Sequence, residues 1–213
     1  MEMKKQTRFK TGIFTFILKV IRYIKRNYFS VSKTIIFELN LDRPGLNSFT
    51  ELDLYFRLAT GEDILSMDKE NYDYDEKAKQ YFINRLEKGD RCILALHRNK
   101  IISYLWVMNG LMELTEYRHI ILSNNRAFSY KEFVLEEYRG KRVHSTIYAY
   151  LANMLKNEGK CYVVSTVDAD NKLSLMTRSR SNFKVIGNII RIRFFGFSYD
   201  YLKKKYILYL QNE

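Results

Sequence analysis

The stretch of this sequence that can do chemistry is Phe133-Val134-Leu135-Glu136-Glu137-Tyr138-Arg139-Gly140-Lys141-Arg142-Val143-His144. An apolar strand runs out, a short basic loop follows, and a helix begins. The first amides of any helix have no partner within it. No Ser, Thr, Asp or Asn stands at this start to cap them. Those amides, the positive end of the helix dipole and the cations Arg139, Lys141 and Arg142 together suit a pyrophosphate. The plain alternative is a water-capped helix start with solvated cations. A metal centre is not expected, because three His and two Cys are too sparse for a zinc ligand set. Cys92 and Cys161 lie in separate apolar runs and read as buried free thiols.

The elements that must position this loop follow from periodicity. Thr34–Leu41 alternates as a strand and ends at the turn Pro44-Gly45. Leu52–Leu58 is a second strand candidate, and Thr60 with Asp63 resembles a helix-start box. Asp75 to Lys88 reads as a helix with a stripe of Ala78, Tyr81, Phe82 and Leu86, stopped by Gly89. Arg91–Leu96 and Ile101–Met108 form a hairpin. Tyr117–Leu122 and Ala127–Leu135 are expected to form another. Lys141–Glu158 is a helix, with Val143, Ile147, Tyr150, Leu151 and Met154 inward and Gly159 at its end. Lys160–Val167 is a β-branched central strand, and Asn171–Ser181 a short helix. Phe183–Ile186, Ile189–Phe195 and Lys205–Leu210 are expected as closing strands. The order predicts an α/β (α+β) domain with a mixed, mainly antiparallel central sheet flanked by helices.

In this setting Val134-Leu135-Glu136-Glu137-Tyr138-Arg139-Gly140-Lys141 resembles the acetyl-CoA signature of the GNAT superfamily of N-acetyltransferases. There a strand ending in Val leads through Tyr-Arg-Gly-x-Gly-x-Gly/Ala into a helix. Asn171-Lys172-Leu173-Ser174-Leu175-Met176, closing at Asn182-Phe183, is similar to the family's Asn-x-x-Ala/Ser stretch that ends in Gly-Phe. Thr60-Gly61-Glu62-Asp63-Ile64 resembles its opening helix. The resemblance covers about residues 51–195.

It implies a GNAT-like fold and direct acyl transfer from acetyl-CoA, or another acyl-CoA, to a primary amine of a small molecule. The cofactor would contact the backbone of Phe133, Val134 and Leu135 and the loop Arg139, Gly140, Lys141, Arg142, Val143 and His144, with Asn171 and Arg178 further along. Glu132 is the candidate general base, on the strand face of Phe128 and Tyr130; a surface carboxylate is the plain alternative. Glu116, Tyr117 and His119 are candidates to line the acceptor site. The sequence departs from the pattern at Arg142 and His144, which replace two loop glycines. Arg178 stands where the family often has a Tyr acid; an arginine stays protonated and cannot donate a proton.

The chain has 213 residues and a net charge of +12, with 46% hydrophobic and 15% aromatic residues. That composition excludes disordered and collagen-like classes. Residues 1–33 carry nine cations and one anion. They are read as a basic amphipathic N-terminal helical arm, ahead of an acyltransferase domain over 34–213. Within it Thr15, Lys19, Arg22 and Arg26 share one face, opposite Ile13, Phe14, Ile17, Val20, Ile21, Ile24 and Tyr28. Lys19 and Arg22 exclude a transmembrane span. The arm packs on its own domain or a second subunit, or makes a peripheral membrane contact through residues 10–28; nucleic acid is the weaker partner. A homodimer stays open. The compartment expected is the cytoplasm, with a peripheral membrane position as the alternative. Two further readings stand beside the acetyltransferase. One is a non-catalytic GNAT-like module recruited by the arm to a membrane or anionic partner. The other is an acyltransferase fed by acyl carrier protein or long-chain acyl-CoA.

Overall fold

Runs rich in β-branched and aromatic residues alternate with short amphipathic stretches along this chain, and they fold as an α/β protein. The structure, a computed structural model, describes residues 28–42, 50–115 and 118–212. In order the elements are β1 (Phe29–Asn40), β2 (Tyr55–Leu58), α1 (Gly61–Ser66), α2 (Lys69–Tyr72), α3 (Glu76–Glu87), β3 (Arg91–His97), β4 (Lys100–Asn109), β5 (Leu111–Thr115) and β6 (Arg118–Ile121). They continue with β7 (Arg126–Val134), a 3₁₀ turn (Glu136–Tyr138), α4 (Val143–Asn157), β8 (Tyr162–Asp168), α5 (Lys172–Arg180), β9 (Lys184–Phe194), β10 (Phe197–Leu202) and α6 (Lys204–Gln211).

Eight strands form one sheet in the order β10-β9-β1-β8-β7-β4-β3-β2, and β5-β6 is a separate ribbon. Within the eight-stranded sheet only β7 and β8 pair in parallel. Parallel neighbours need a long crossover, and α4 supplies it. Its Val143, Ile147, Leu151 and Leu155 recur at steps of four and are buried against Phe37, Leu39, Leu105 and Val163. Each such side chain contributes about 1.5–3 kcal/mol by leaving water. Tyr148 is also buried on this face, while Tyr150 and Met154 sit at its margin.

Local signals in the sequence hold at the helix ends. Thr60 accepts from the Asp63 amide while the Asp63 carboxylate accepts from the Thr60 amide, closing the box that starts α1. Asp75 caps α3, and Gly159 at φ +75° ends α4.

Three expected elements differ. Residues 118–121 pair with β5, not with β7. β7 needs both its edges for β4 and β8, whereas Arg118, His119 and Ile121 are exposed and suit an outlying ribbon. Residues 204–211 form α6 rather than a strand, because Tyr206, Ile207 and Leu210 meet the core at helical spacing. Residues 184–194 form one strand rather than two. Gly187 lies inside it under the ring of Tyr206, where a side chain would not fit.

β1 starts at Phe29 and pairs with β9 from its first residue. Except for Tyr28, the helix expected over 13–28 lies outside the described residues, as does the turn at Pro44-Gly45. Cys92 and Cys161 are free thiols; burial pushes the Cys92 thiol well up.

Candidate functional site: a closed notch beside an uncapped helix

β7 and β8 pair only from Arg126↔Tyr162 to Ser129↔Ser165. Beyond that row they part, and the edge of β7 over residues 130–134 has no strand beside it. The opposite edge stays paired with β4, up to Ser103↔Val134. A register shift accompanies the parting: Val107 faces Ser129 and Trp106 faces Lys131, so Tyr130 is an extra residue in β7. The bulge moves Glu132 from the face of Phe128 to the face of Ser129, under α4. Alternation alone had put Glu132 with Phe128 and Tyr130, and the bulge is the reason it does not stay there.

Three elements meet at Glu132. Its Oε1 accepts from Nη2 of Arg178 at 2.7 Å, and its Oε2 lies 3.0 Å from Nε2 of His144. Nη1 of Arg178 lies 3.2 Å from the same Nε2. That nitrogen can either donate to the carboxylate or accept from the guanidinium, not both. The charged, shorter contact favours donation to Glu132. Tyr148 and Ser129 share a 2.9 Å hydroxyl hydrogen bond beneath. The guanidinium carbon of Arg178 lies 5.0 Å from the Tyr148 ring centroid and 4.5 Å from that of Phe183. Arg178 is 3% exposed and is the buried residue of α5. Its place in the last turn lets its charge meet the negative end of that helix.

Burial pushes the Glu132 carboxyl up, but the charges of Arg178 and His144 outweigh it and bring the carboxyl down to about 2. Burial lowers the Arg178 pKa, and the neighbouring Tyr148 and Glu132 more than reverse that. Nε of Arg178, Nδ1 of His144 and Oγ of Ser165 are buried without a hydrogen-bond partner among the described residues. What remains of the notch is a cavity of about 30 Å³ bordered by Leu105, Ser129, Glu132, Tyr148, Thr166 and Arg178 among others. That volume holds a water molecule, not a ligand arm.

The loop sits at the strand's outgoing end. Nε of Arg139 donates to the Val134 carbonyl at 3.2 Å. Thr50 Oγ1 donates to the Lys141 carbonyl at 2.7 Å, tying the loop to the segment before β2. Gly140 has φ +79° in open space. Arg142 takes a left-handed conformation, φ +60°, as the residue before α4, and no side chain caps the helix. The residue standing where the family has glycine thus adopts a backbone that glycine favours. The amides of Val143, His144 and Ser145 have no partner among the described residues. These features fit a phosphate group, with exposed Lys141 and Arg142 beside it.

The candidates fall into two groups. Phe133, Val134, Leu135 and Arg139–Val143 make the strand end and loop. Glu132, His144 and Arg178 meet inside the notch, so neither His144 nor Arg178 faces the loop. Asn171 caps α5 by accepting from the Ser174 amide. His119 lies on the separate ribbon, across from Glu113; Glu116 and Tyr117 fall outside the described residues. Among the described residues no group of His, Cys, Asp and Glu could hold a metal. Sequence reasoning missed Tyr148 and Ser129. The signal for Tyr148 was its spacing of four from His144, which sets the two rings 4.9 Å apart, tilted, on one helix face.

No family model matches the sequence, and no curated protein matches it. Solved structures do. A functionally unknown conserved protein from Staphylococcus epidermidis superposes with a TM-score of 0.57 at 12% identity, over 83% of this chain and 67% of that one. A GNAT-family acetyltransferase from Colwellia psychrerythraea also gives 0.57, at 15% identity, over 78% of this chain and 57% of that one. The aminoglycoside N-acetyltransferase AAC(6')-Iy, solved with CoA, gives 0.51 at 13% identity, over 65% and 91%. A sheet whose parallel pair β7–β8 parts beside an uncapped helix, superposing on these proteins at such low identity, is the GNAT acetyltransferase fold.

Proposed function

We propose that this protein is an N-acyltransferase, moving an acetyl or other acyl group from acyl-CoA to a primary amine of a small molecule. The observation that carries this reading is the junction of the unpaired edge of β7, residues 130–134, with the uncapped start of α4. An extended chain can pair with the strand edge while a phosphate meets the helix amides and the cations of Arg139, Lys141 and Arg142. The likeness to AAC(6')-Iy makes amino sugars the first acceptors to test.

Bound acyl-CoA would supply a thioester carbonyl, and attack by the amine forms the C–N bond as the C–S bond breaks. Glu132 is the carboxylate bordering the notch and takes the proton that the amine loses. While paired with Arg178 it is a poor base. Moving Arg178 aside leaves burial as the dominant influence and raises its basicity, so opening the notch and activating the base are one event. Water protonates the departing thiolate, since Arg178 cannot. The amide of Val134 faces the developing oxyanion. The two free thiols support a cytoplasmic location.

The small cavity favours a second reading, a binding module whose notch no longer opens. Calorimetry with acetyl-CoA and longer acyl-CoAs separates the two. Binding is expected, weakened at least about tenfold by Arg139→Glu or Arg142→Glu at low salt. Absence of binding by every acyl-CoA overturns the enzyme reading. Preference for long chains or for an acyl carrier protein would redefine the donor.

A further inference from the structure

The outer end of the sheet turns its apolar face to solvent. Cross-strand pairing sets Phe29, Phe194 and Phe197 in one row, and Val31, Ile192 and Tyr199 in the next. Along β1 these rows share the face of Phe37 and Leu39, which α4 covers further in. Here no helix among the described residues covers it. Phe197 is 82% exposed, Tyr199 62%, Val31 56% and Phe194 53%. Ser30, Arg193 and Ser198 form the row on the opposite face. The turn joining β9 to β10 holds Phe195 and Gly196 at positive φ, presenting the aromatic tip. Tyr28 stacks on Phe195 with centroids 4.9 Å apart, which puts residue 28 at this tip.

A contiguous apolar face of this kind marks a partner. Residues 1–27 carry eight cations and one anion, and Lys33 lies in the row beyond Val31 and Tyr199. A second copy seated here would bring two such cationic segments together. Cover by residues 13–27 would account for the apolar rows but not for the excess of cations in residues 1–27. An anionic lipid surface answers both features, taking Phe and Tyr rings at the headgroup level and cations against its phosphates.

We propose that the aromatic face of Phe29, Val31, Ile192, Phe194, Phe197 and Tyr199 docks the protein on an anionic membrane surface. The geometry is that of a protein lying on a bilayer rather than crossing it. Among the described residues no helix is long and apolar enough to cross.

The test sediments the full chain with vesicles of phosphatidylcholine, with and without phosphatidylserine. Pelleting is expected with phosphatidylserine, and partitioning falls at least about tenfold in the Phe194→Ser/Phe197→Ser pair. Phe197→Trp provides a reading that does not depend on lost binding: its emission moves blue and is quenched by brominated acyl chains, while Trp106, fully buried, is not. The proposal is overturned by absence of pelleting, by equal pelleting without phosphatidylserine, by undiminished pelleting of the serine pair, or by an unquenched Phe197→Trp. A dimer that the serine pair dissociates would overturn it in favour of a second copy.

Discussion

Glu132 and Arg178, 46 residues apart in sequence, form an ion pair at 2.7 Å inside the notch between β7 and β8. Their side chains are 24% and 4% exposed, so the guanidinium cannot turn to water and the carboxylate meets it only in part. Arg178→Met should therefore cost about 3–5 kcal/mol, chiefly from the carboxylate left without its guanidinium partner. The pH dependence should weaken with it. In the intact protein the Glu132 carboxyl lies at about 2, below its ordinary 4.5. Its stabilisation is complete above pH 4.5 and is lost as pH falls toward 2. In the variant burial still pushes the carboxyl up and only His144 and Tyr148 hold it down, so it rises from about 2. The stability lost as pH falls below 4.5 is then smaller, and the loss is over at a higher pH than in the parent. Denaturant unfolding across this range reads both slopes, and parallel profiles for the two proteins would refute the pairing.

Arg142 carries the cost of a left-handed backbone, φ +60°, at the start of α4. Without the strain of a Cβ, Arg142→Gly should stabilise by about 1 kcal/mol, partly offset by the greater freedom of glycine in the unfolded chain. Arg142→Val should destabilise, since a β-branched residue is worst suited there. Acyl-CoA binding should separate from stability: the glycine variant is more stable yet binds more weakly, having lost a cation beside the helix amides. A glycine variant less stable than the parent would show that α4 starts differently.

Thr60, Asp63 and Arg57 lock the start of α1. The Arg57 guanidinium holds the Asp63 carboxyl down at about 2, against burial, with help from Thr60. Thr60→Ala removes one acceptor for an otherwise unpaired amide and should cost about 1 kcal/mol. Asp63→Asn should cost a similar amount at neutral pH. Its deficit should vanish as pH falls from about 4 to 2, where the parent's carboxylate is itself protonated. Thermal unfolding at neutral pH and at pH 2 checks both.

The loop and the helix caps were legible in the sequence because their signals are local. An uncapped helix start, Gly140 and the Thr60–Asp63 spacing need no knowledge of distant partners. The face of Glu132 was not legible. The extra residue at Tyr130 arises from pairing with β4, and nothing in residues 126–134 announces it. Arg178 read as a cofactor contact for a similar reason: its burial depends on a carboxylate 46 residues away. The error at residues 204–211 had another origin. A short run alternating tyrosine with leucine and isoleucine satisfies strand and helix patterns alike. Only the seat offered by Gly187 decides between them.

That seat gives a last expectation. A Cβ built on Gly187 would lie 2.9 Å from the Tyr206 ring, closer than two such atoms can approach. Gly187→Ala should force α6 off β9 and cost about 1–3 kcal/mol. Tyr206→Leu alone should also destabilise, by removing part of an aromatic ring packed against Leu202 and Leu210. Because both changes act on one contact, the double variant should be less destabilised than the sum of the singles, by at least about 0.5 kcal/mol. If 204–211 were instead a strand, Gly187 and Tyr206 would not touch and the two effects would add. A double-mutant cycle by urea unfolding therefore tests directly whether the chain's last described element is a helix seated on a glycine.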